Sequence, residues 1–322
     1  MSKCSGNTYN IGMGCCQPVL APIQNYYTKY QVDKMISGIT VSGVTEEQMN
    51  DAIDEAKSEM QEAINTLQIQ ISNLVASVSG CCSGVGSVIT YTADAKLPEV
   101  LHELDDGLFV EAFSGTTGLL TITRHSFENG IGTIVLDGTV TDVSSRAFNG
   151  CSGMTGLYLP DTIINIGGFS IYNCPNLETV HLSSSLAIIQ IGTFENDYSL
   201  NTVTIPSSVV SIGEQAFAYC SGLIIVDIPD SVTTIGNSAF YHCSGLTNVT
   251  IGSGATNIGG STFLSCDSLT SITIKATTPP TLGLWAFSGT NNCPIYVPAN
   301  SVDAYKSAEE WSTYESRIQP IQ

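Results

Sequence analysis

The sequence predicts a mixed α and β fold: an N-terminal α-helical coiled coil followed by a solenoid of short strands and short helical turns with a period of 23 residues. Three observations predict it. The stretch "IGEQAFAYCSGLIIVDIPDSVTT" (212–234) is followed at once by "IGNSAFYHCSGLTNVTIGSGATN", and the register holds over six units without an insertion. Residues 44–79 instead space their apolar side chains by three and four, the period of a helix. Hydrophobic residues make up 43% of the 322, ample for a packed interior.

Charge and hydropathy exclude several partners. The chain has 29 Asp and Glu against 10 Lys and Arg, a net charge of −19, and no basic patch, so neither nucleic acid nor an anionic membrane is expected to bind. No run of about eighteen apolar residues suits membrane insertion, and the start "MSKCSGNTYNIGMGCC" lacks the apolar stretch of an export signal.

In chain order, the first 24 residues carry Gly6, Gly12, Gly14, Pro18 and Pro22 and read as an extended segment that orders on docking. From Val44 the pattern becomes Met49, Ile53, Ala56, Met60, Ala63, Leu67, Ile71, Leu74 and Val78. Thr45 and Gln48 stand at capping-box spacing, Glu46 and Glu47 suit the positive end of the helix dipole, and Gly80 stops the run. Such a helix, about 34 residues, spans ~50 Å. A narrow apolar stripe on a long helix is a coiled-coil seam, and the consecutive fours around Leu67 and Ile71 shift its register like a stutter. The alternative, docking on the flank of the solenoid, calls for a wider stripe.

Just before this helix, "NYYTKYQVDKMI" (25–36) resembles the "YYTK-x-x-VD" element of phage fibre proteins, found next to trimeric coiled coils. The resemblance implies a homotrimer in the virion, assembled in the host cytoplasm. Residues 1–43 would dock on a capsid or tail protein, 44–79 form the stalk, and 80–87 form a Gly/Cys/Ser joint. There Cys81 and Cys82 of three chains converge near the axis. The short chain favours a capsid fibre over a tail fibre.

The repeat aligns four apolar columns. The anchors are Phe148, Ile171, Phe194, Phe217, Phe240 and Phe263; a second column reads Met154, Leu177, Leu200, Leu223, Leu246 and Leu269. Leu157, Val180, Val203, Val226, Val249 and Ile272 follow, and two residues on come Leu159, Leu182, Ile205, Ile228, Ile251 and Ile274. One unit buries about five apolar side chains at ~1.5–3 kcal/mol each, less than the ~1–2 kcal/mol per residue needed to order its backbone. Units must therefore stack, each covered by the next. The "L-x-x-V-x-I-P" segment alternates like a strand that Pro160, Pro206 and Pro229 end, while "AFxxCSG" suits one helical or 3₁₀ turn.

From Ile134 to Thr278 these residues resemble the BspA-type leucine-rich repeat. "FENGIGTIVLDGTVTDVSSRAF" (127–148) resembles the first coil of that family, and "ATTPPTLG" (276–283) with "CPIYVPANSVDAYKSAEEWSTYESRIQPI" (293–321) its closing segment. The expected limits are 88–278 for the solenoid and 279–322 for the cap. In the cap, Asn300 or Ser301 caps a short helix with Val302, Tyr305 and Ala308 on one face.

Eleven cysteines suggest a disulfide framework until they are placed. Cys151, Cys174, Cys220, Cys243 and Cys266 lie on the 23-residue grid, with Asp197 filling the position between the second and third. Neighbouring coils lie about 4.8 Å apart, so bridges are geometrically open. Buried, reduced thiols acting as small hydrophobes are the expectation. No Cys-x-x-Cys pair suits zinc, no glycine run carries a phosphate-loop Lys, and His242 beside Cys243 reads as a variable edge position rather than a nucleophile's base. No catalytic residue, metal or cofactor is expected.

Binding is what remains. Side chains leaving the strands on the concave side are Tyr158, His181, Thr204, Asp227, Thr250 and Thr273, with Glu178, Asn201, Ile224, Asn248 and Ser271 beside them. They vary while the core columns do not, as a recognition surface for a host glycan or protein allows. A bacterial cell-surface adhesin with the same repeat is the alternative to the phage fibre.

Overall fold

The computed structural model describes residues 87–93, 113–115, 118–120, 122–128 and 130–321. The predicted seam (Met49, Ile53, Ala56, Met60, Ala63, Leu67, Ile71 and Leu74), the docking segment and all of the joint but Ser87 lie outside the described residues.

The first strands are antiparallel. β1 (Val88–Ala93) pairs on one side with β5 (Ile131–Leu136), itself paired with β4 (Ile122–Glu128). β2 (Phe113–Gly115) pairs with β3 (Gly118–Leu119) and with β6 (Val140–Val143). Ile134 and Leu136, on the grid by sequence, are buried in this antiparallel layer rather than in a parallel coil.

From β6 onward the chain climbs in parallel coils, each adding one strand to each of two ladders. The first ladder holds β7 (Met154–Tyr158), β9 (Thr179–His181), β11 (Thr202–Val203), β13 (Ile225–Ile228), β15 (Asn248–Ile251), β17 (Ser271–Ile274), β19 (Ile295–Val297) and β20 (Ile318–Pro320). The second holds β6, β8 (Asn165–Ile166), β10 (Ile188–Ile189), β12 (Ser211–Ile212), β14 (Thr234–Ile235), β16 (Asn257–Ile258) and β18 (Thr281–Leu282). Strand pairing is interrupted once in each, between β11 and β13 and between β8 and β10. On its other side β1 pairs antiparallel with β7 and so closes the first ladder. Prolines end the strands as expected, with Val209 N–H donating to Pro206 O (3.0 Å) and Val232 N–H to Pro229 O (3.1 Å) across the turn.

The third side of each coil corrects an expectation: the anchor segments are overlapping turns, not helical turns. Alternate amides point along the stack and back into the coil. Gln215, Phe217 and Tyr219 donate to Asn237, Ala239 and Tyr241 of the next coil, while Ala216, Ala218 and Cys220 donate to residues three positions earlier. A helix cannot do this, because all its N–H groups point one way along its own axis. The alternation uses left-handed backbone twice per coil, as at Gln215 (φ 54°) and Tyr219 (φ 64°) or Ser238 (φ 54°) and His242 (φ 59°). Coils also approach closely after the second ladder: a Cβ on Gly236 would lie 2.5 Å from Glu214 N, so only glycine fits there.

All four predicted columns are buried. The anchor rings stack almost parallel, with centroids 5.1 Å apart for Phe194–Phe217 and Phe217–Phe240, 5.2 Å for Phe240–Phe263 and 5.7 Å for Phe263–Phe287. Ile171 interrupts the stack, and Trp311 closes it against Phe287. The grid cysteines are free, buried thiols. Cys174, Cys220, Cys243 and Cys266 each donate Sγ–H to the carbonyl of the preceding coil's anchor, at 3.0–3.2 Å. A small side chain that is apolar yet carries a weak donor satisfies that carbonyl without a cavity, which accounts for Cys in this column.

After β19, a 3₁₀ turn (Ala299–Ser301) leads into helix α1 (Val302–Ser307), followed by a 3₁₀ segment (Trp311–Arg317). Ser301 occupies the N-cap position, but its hydroxyl donates to Thr277 O (2.6 Å) instead of capping, tying the helix to the coil below. Tyr305 Oη donates to Ala276 O and Trp311 Nε1 to Pro280 O, so each large ring is buried with its polar atom satisfied. Trp285, in contrast, is 64% exposed.

Candidate ligand-binding face

The inward residues of the first ladder alternate with residues that leave the coil, and strand pairing fixes which of these become neighbours. Tyr158 stands opposite His181, and Asp227, Thr250 and Thr273 follow in register. Thr204, just past β11, is exposed between the two runs. The predicted six therefore share one outward column. The same 23-residue step carries the column to Tyr296 and Gln319, paired with Thr273 and with each other. These two were missed, although the step alone reaches them.

The second outward column of the strands is Gly156, Thr179, Thr202, Ile225, Asn248 and Ser271, again in register from coil to coil. The five predicted neighbours do not form one column: Asn248 and Ser271 belong to it, whereas Glu178, Asn201 and Ile224 precede their strands by one residue. Ile225, omitted from the prediction, is 53% exposed beside Asp227.

The face changes character along its length. At its start the Tyr158 and His181 rings stack 4.6 Å apart at 4°. Burial pushes the His181 imidazole below its ordinary pKa, and the nearby Asp161 carboxylate opposes the shift only in part. The ring is therefore neutral at pH 7 and presents an aromatic plane rather than a charge. Ile224 and Ile225 form an apolar step in the middle. Beyond it Ser271 Oγ donates to Asn248 Oδ1 (2.7 Å) while Asn248 Nδ2 donates to Thr247 Oγ1 (3.2 Å), so one hydrogen of the Asn248 amide is left to meet an acceptor. The column ends in an open groove of about 720 Å³ lined by Pro294, Tyr296, Tyr314, Arg317 and Gln319. Arg317 is occupied there: Nε donates to Cys293 O (2.8 Å), Nη1 to Phe287 O (3.1 Å) and Nη2 to Thr290 Oγ1 (2.8 Å).

Nothing on this face assembles a nucleophile and base. Cys243 is fully buried, its thiol pushed well up by burial and spent on the Phe217 carbonyl, while the His242 ring stacks on Tyr219. Among the described residues no group of three or more His, Cys, Asp or Glu side chains could hold a metal ion, and no helix is long and apolar enough to cross a membrane.

The BspA type leucine rich repeat region matches six copies across residues 106–224 and 188–308, more than half of the chain. The chain belongs to this family. The BspA-type match is to a repeat, not to a catalytic family. Among solved structures, a leucine-rich repeat protein of T. pallidum is 29% identical over 48% of this chain and 72% of its own, with a TM-score of 0.45. A leucine-rich cell surface protein of Faecalibacterium prausnitzii is 21% identical over 55% and 67%, and a leucine-rich repeat protein from Bacteroides ovatus 17% over 62% and 91%, each with a TM-score of 0.25. No curated protein matches the chain.

Proposed function

We propose that this BspA-type repeat protein is an adhesive, non-catalytic subunit of a phage virion fibre, its solenoid heads meeting a glycan or protein on the host surface. The observation that carries the binding role is the Tyr158–His181 ring pair, held face to face on an outward column by strand register. Aromatic planes beside an apolar step and amide and hydroxyl groups suit an extended polar ligand. The virion part of the reading is supported by the fibre element at 25–36 and the seam at 44–79. On it, three chains assemble in the host cytoplasm, residues 1–43 dock on the particle, on the capsid in preference to the tail, and three heads on one stalk raise a weak single-site affinity through effective concentration.

Two measurements test this. The full chain is expected to have the mass of three chains in solution and to bind host cell envelopes, with Tyr158→Ala plus His181→Ala weakening binding at least tenfold. A monomeric mass would overturn the fibre reading and leave a bacterial cell-surface adhesin. Undiminished binding by the double variant would overturn the assignment of the face.

A further inference from the structure

We propose that the turn side of the coils anchored by Phe217 and Phe240 carries a second site, a stacking platform for a neutral saccharide. The second left-handed position of successive coils is filled by Gly150, Asn173, Asn196, Tyr219, His242, Ser265 and Gly289, all with φ between 59° and 74°. Glycine adopts this conformation freely and asparagine and histidine more readily than most residues, whereas tyrosine rarely does. Backbone geometry is the same along the column and the interior is already filled by the anchor rings, so neither requires an aromatic residue at 219 or 242. Strain retained at Tyr219 points to what its side chain presents outward.

They present rings. Tyr219 and His242 stack at 5.4 Å and 11°, and Tyr241 meets both edge-on, at 5.3 Å and 5.0 Å. All three are half-buried. Rings already in mutual contact form a platform rather than an empty cage, and the next members of the column, Asn196 and Ser265, are too short to cover the outer ring faces. The rim is polar: Tyr198 is 46% exposed and its hydroxyl donates to Asn196 Oδ1 (3.3 Å). The Tyr219 phenol is pushed up by burial and then by Tyr241, Glu195 and Tyr198, the groups gathered around it.

Charge selects the ligand. Residues 147–274 contain no Lys or Arg and eight carboxyl side chains, so phosphorylated, sulfated and uronic sugars are repelled. The C–H face of a neutral pyranose meets the electron-rich face of an aromatic ring, and its hydroxyls find phenol, amide and carboxylate partners. The site stands whether or not the chain is borne on a virion, and it lies on a different side of the coil from the Tyr158 column.

The test uses the full chain against immobilised neutral oligosaccharides (glucans, mannans, galactans and chitooligosaccharides) and an acidic panel of uronic and sulfated ones. Tyr219→Asn with His242→Asn installs the residue found at 173 and 196, so the thermal midpoint is expected to hold or rise while neutral-sugar binding weakens tenfold or more. Ile188→Ala, exposed on the second ladder and away from both outward clusters, serves as control and leaves this binding intact. The proposal is overturned if no neutral oligosaccharide binds at millimolar concentration, if acidic sugars are preferred, if the Asn pair binds as before, if its thermal midpoint falls, or if Ile188→Ala weakens binding as much as the Asn pair does.

Discussion

Asp197 is the one grid position where the cysteine column becomes a carboxyl, and its burial should be measurable as a pH dependence of stability. The side chain is fully buried, with Oδ1 accepting the Cys174 amide at 2.7 Å and Oδ2 without a partner. Burial pushes its pKa well up, the Cys174 amide opposes the shift, and Cys151 adds to it. In the unfolded chain the group titrates at about 3.9. Between that value and the raised folded pKa the unfolded state has released a proton that the fold retains, so stability falls as pH rises, by about 1.4 kcal/mol per unit. Asp197→Asn keeps the shape and the Oδ1 acceptor but cannot ionise. From pH 4 upward the Asn variant should gain on the parent, by at most about 1.4 kcal/mol per pH unit, until the folded Asp197 itself ionises. Urea unfolding followed by circular dichroism at pH 4, 5 and 6 gives the difference directly, because the remaining carboxylates titrate alike in both. A difference that stays constant across this range would mean that Asp197 ionises normally in the fold, and the argument from burial would fail.

Phe217→Ala should cost about 3–5 kcal/mol, towards the upper end because rings lie 5.1 Å away on both sides; a loss below 1 kcal/mol in urea unfolding would show that the stack closes over the gap. The tryptophans should separate sharply. Trp311→Phe strands the buried Pro280 carbonyl and should cost about 1–3 kcal/mol, whereas Trp285→Phe, 64% exposed, should shift stability by no more than about 0.5 kcal/mol, and thermal melts of the pair test the contrast.

The inward columns were legible because a coil repeats one environment at a fixed step, so Phe194, Phe217 and Phe240 declare each other. The strand column was equally legible as far as Thr273. Tyr296 and Gln319 escaped notice because the markers around them change: the anchor step lengthens to 24 at Phe287 while the strand step from Ile272 to Ile295 stays 23. The turn side was misread for a physical reason. An anchor Phe followed by Gly fits a helical turn, and the left-handed backbone at Tyr219 contradicts that residue's preference, so no local signal there could announce it. Ser301 shows the same limit, since a hydroxyl at an N-cap looks identical in sequence whether it caps its own helix or bonds Thr277 on the coil below.

Stacking divides the chain's duties in a way a globular core does not. Each inward side chain touches its own column above and below, so a fault there spreads through neighbours, and uniformity is enforced. An outward side chain is held by the strand or turn beneath it and by at most a few neighbours on its own face, as in the Tyr158–His181 ring pair. The Tyr158 column and the Tyr219 cluster can therefore change at less cost to the solenoid than an inward anchor can. Asp197 reverses the arrangement: a group whose chemistry belongs outside is held inside, near the coil where Ile171 interrupts the ring stack and where strand pairing lapses between β11 and β13. Three departures within neighbouring coils predict weakened nearest-neighbour coupling here, and faster amide hydrogen exchange than in the coils anchored by Phe217 and Phe240 would show it. The outward columns on either side of it, aromatic at Tyr158 and His181 and polar beyond Ile225, thus rest on two stretches of ladder rather than on one unbroken sheet.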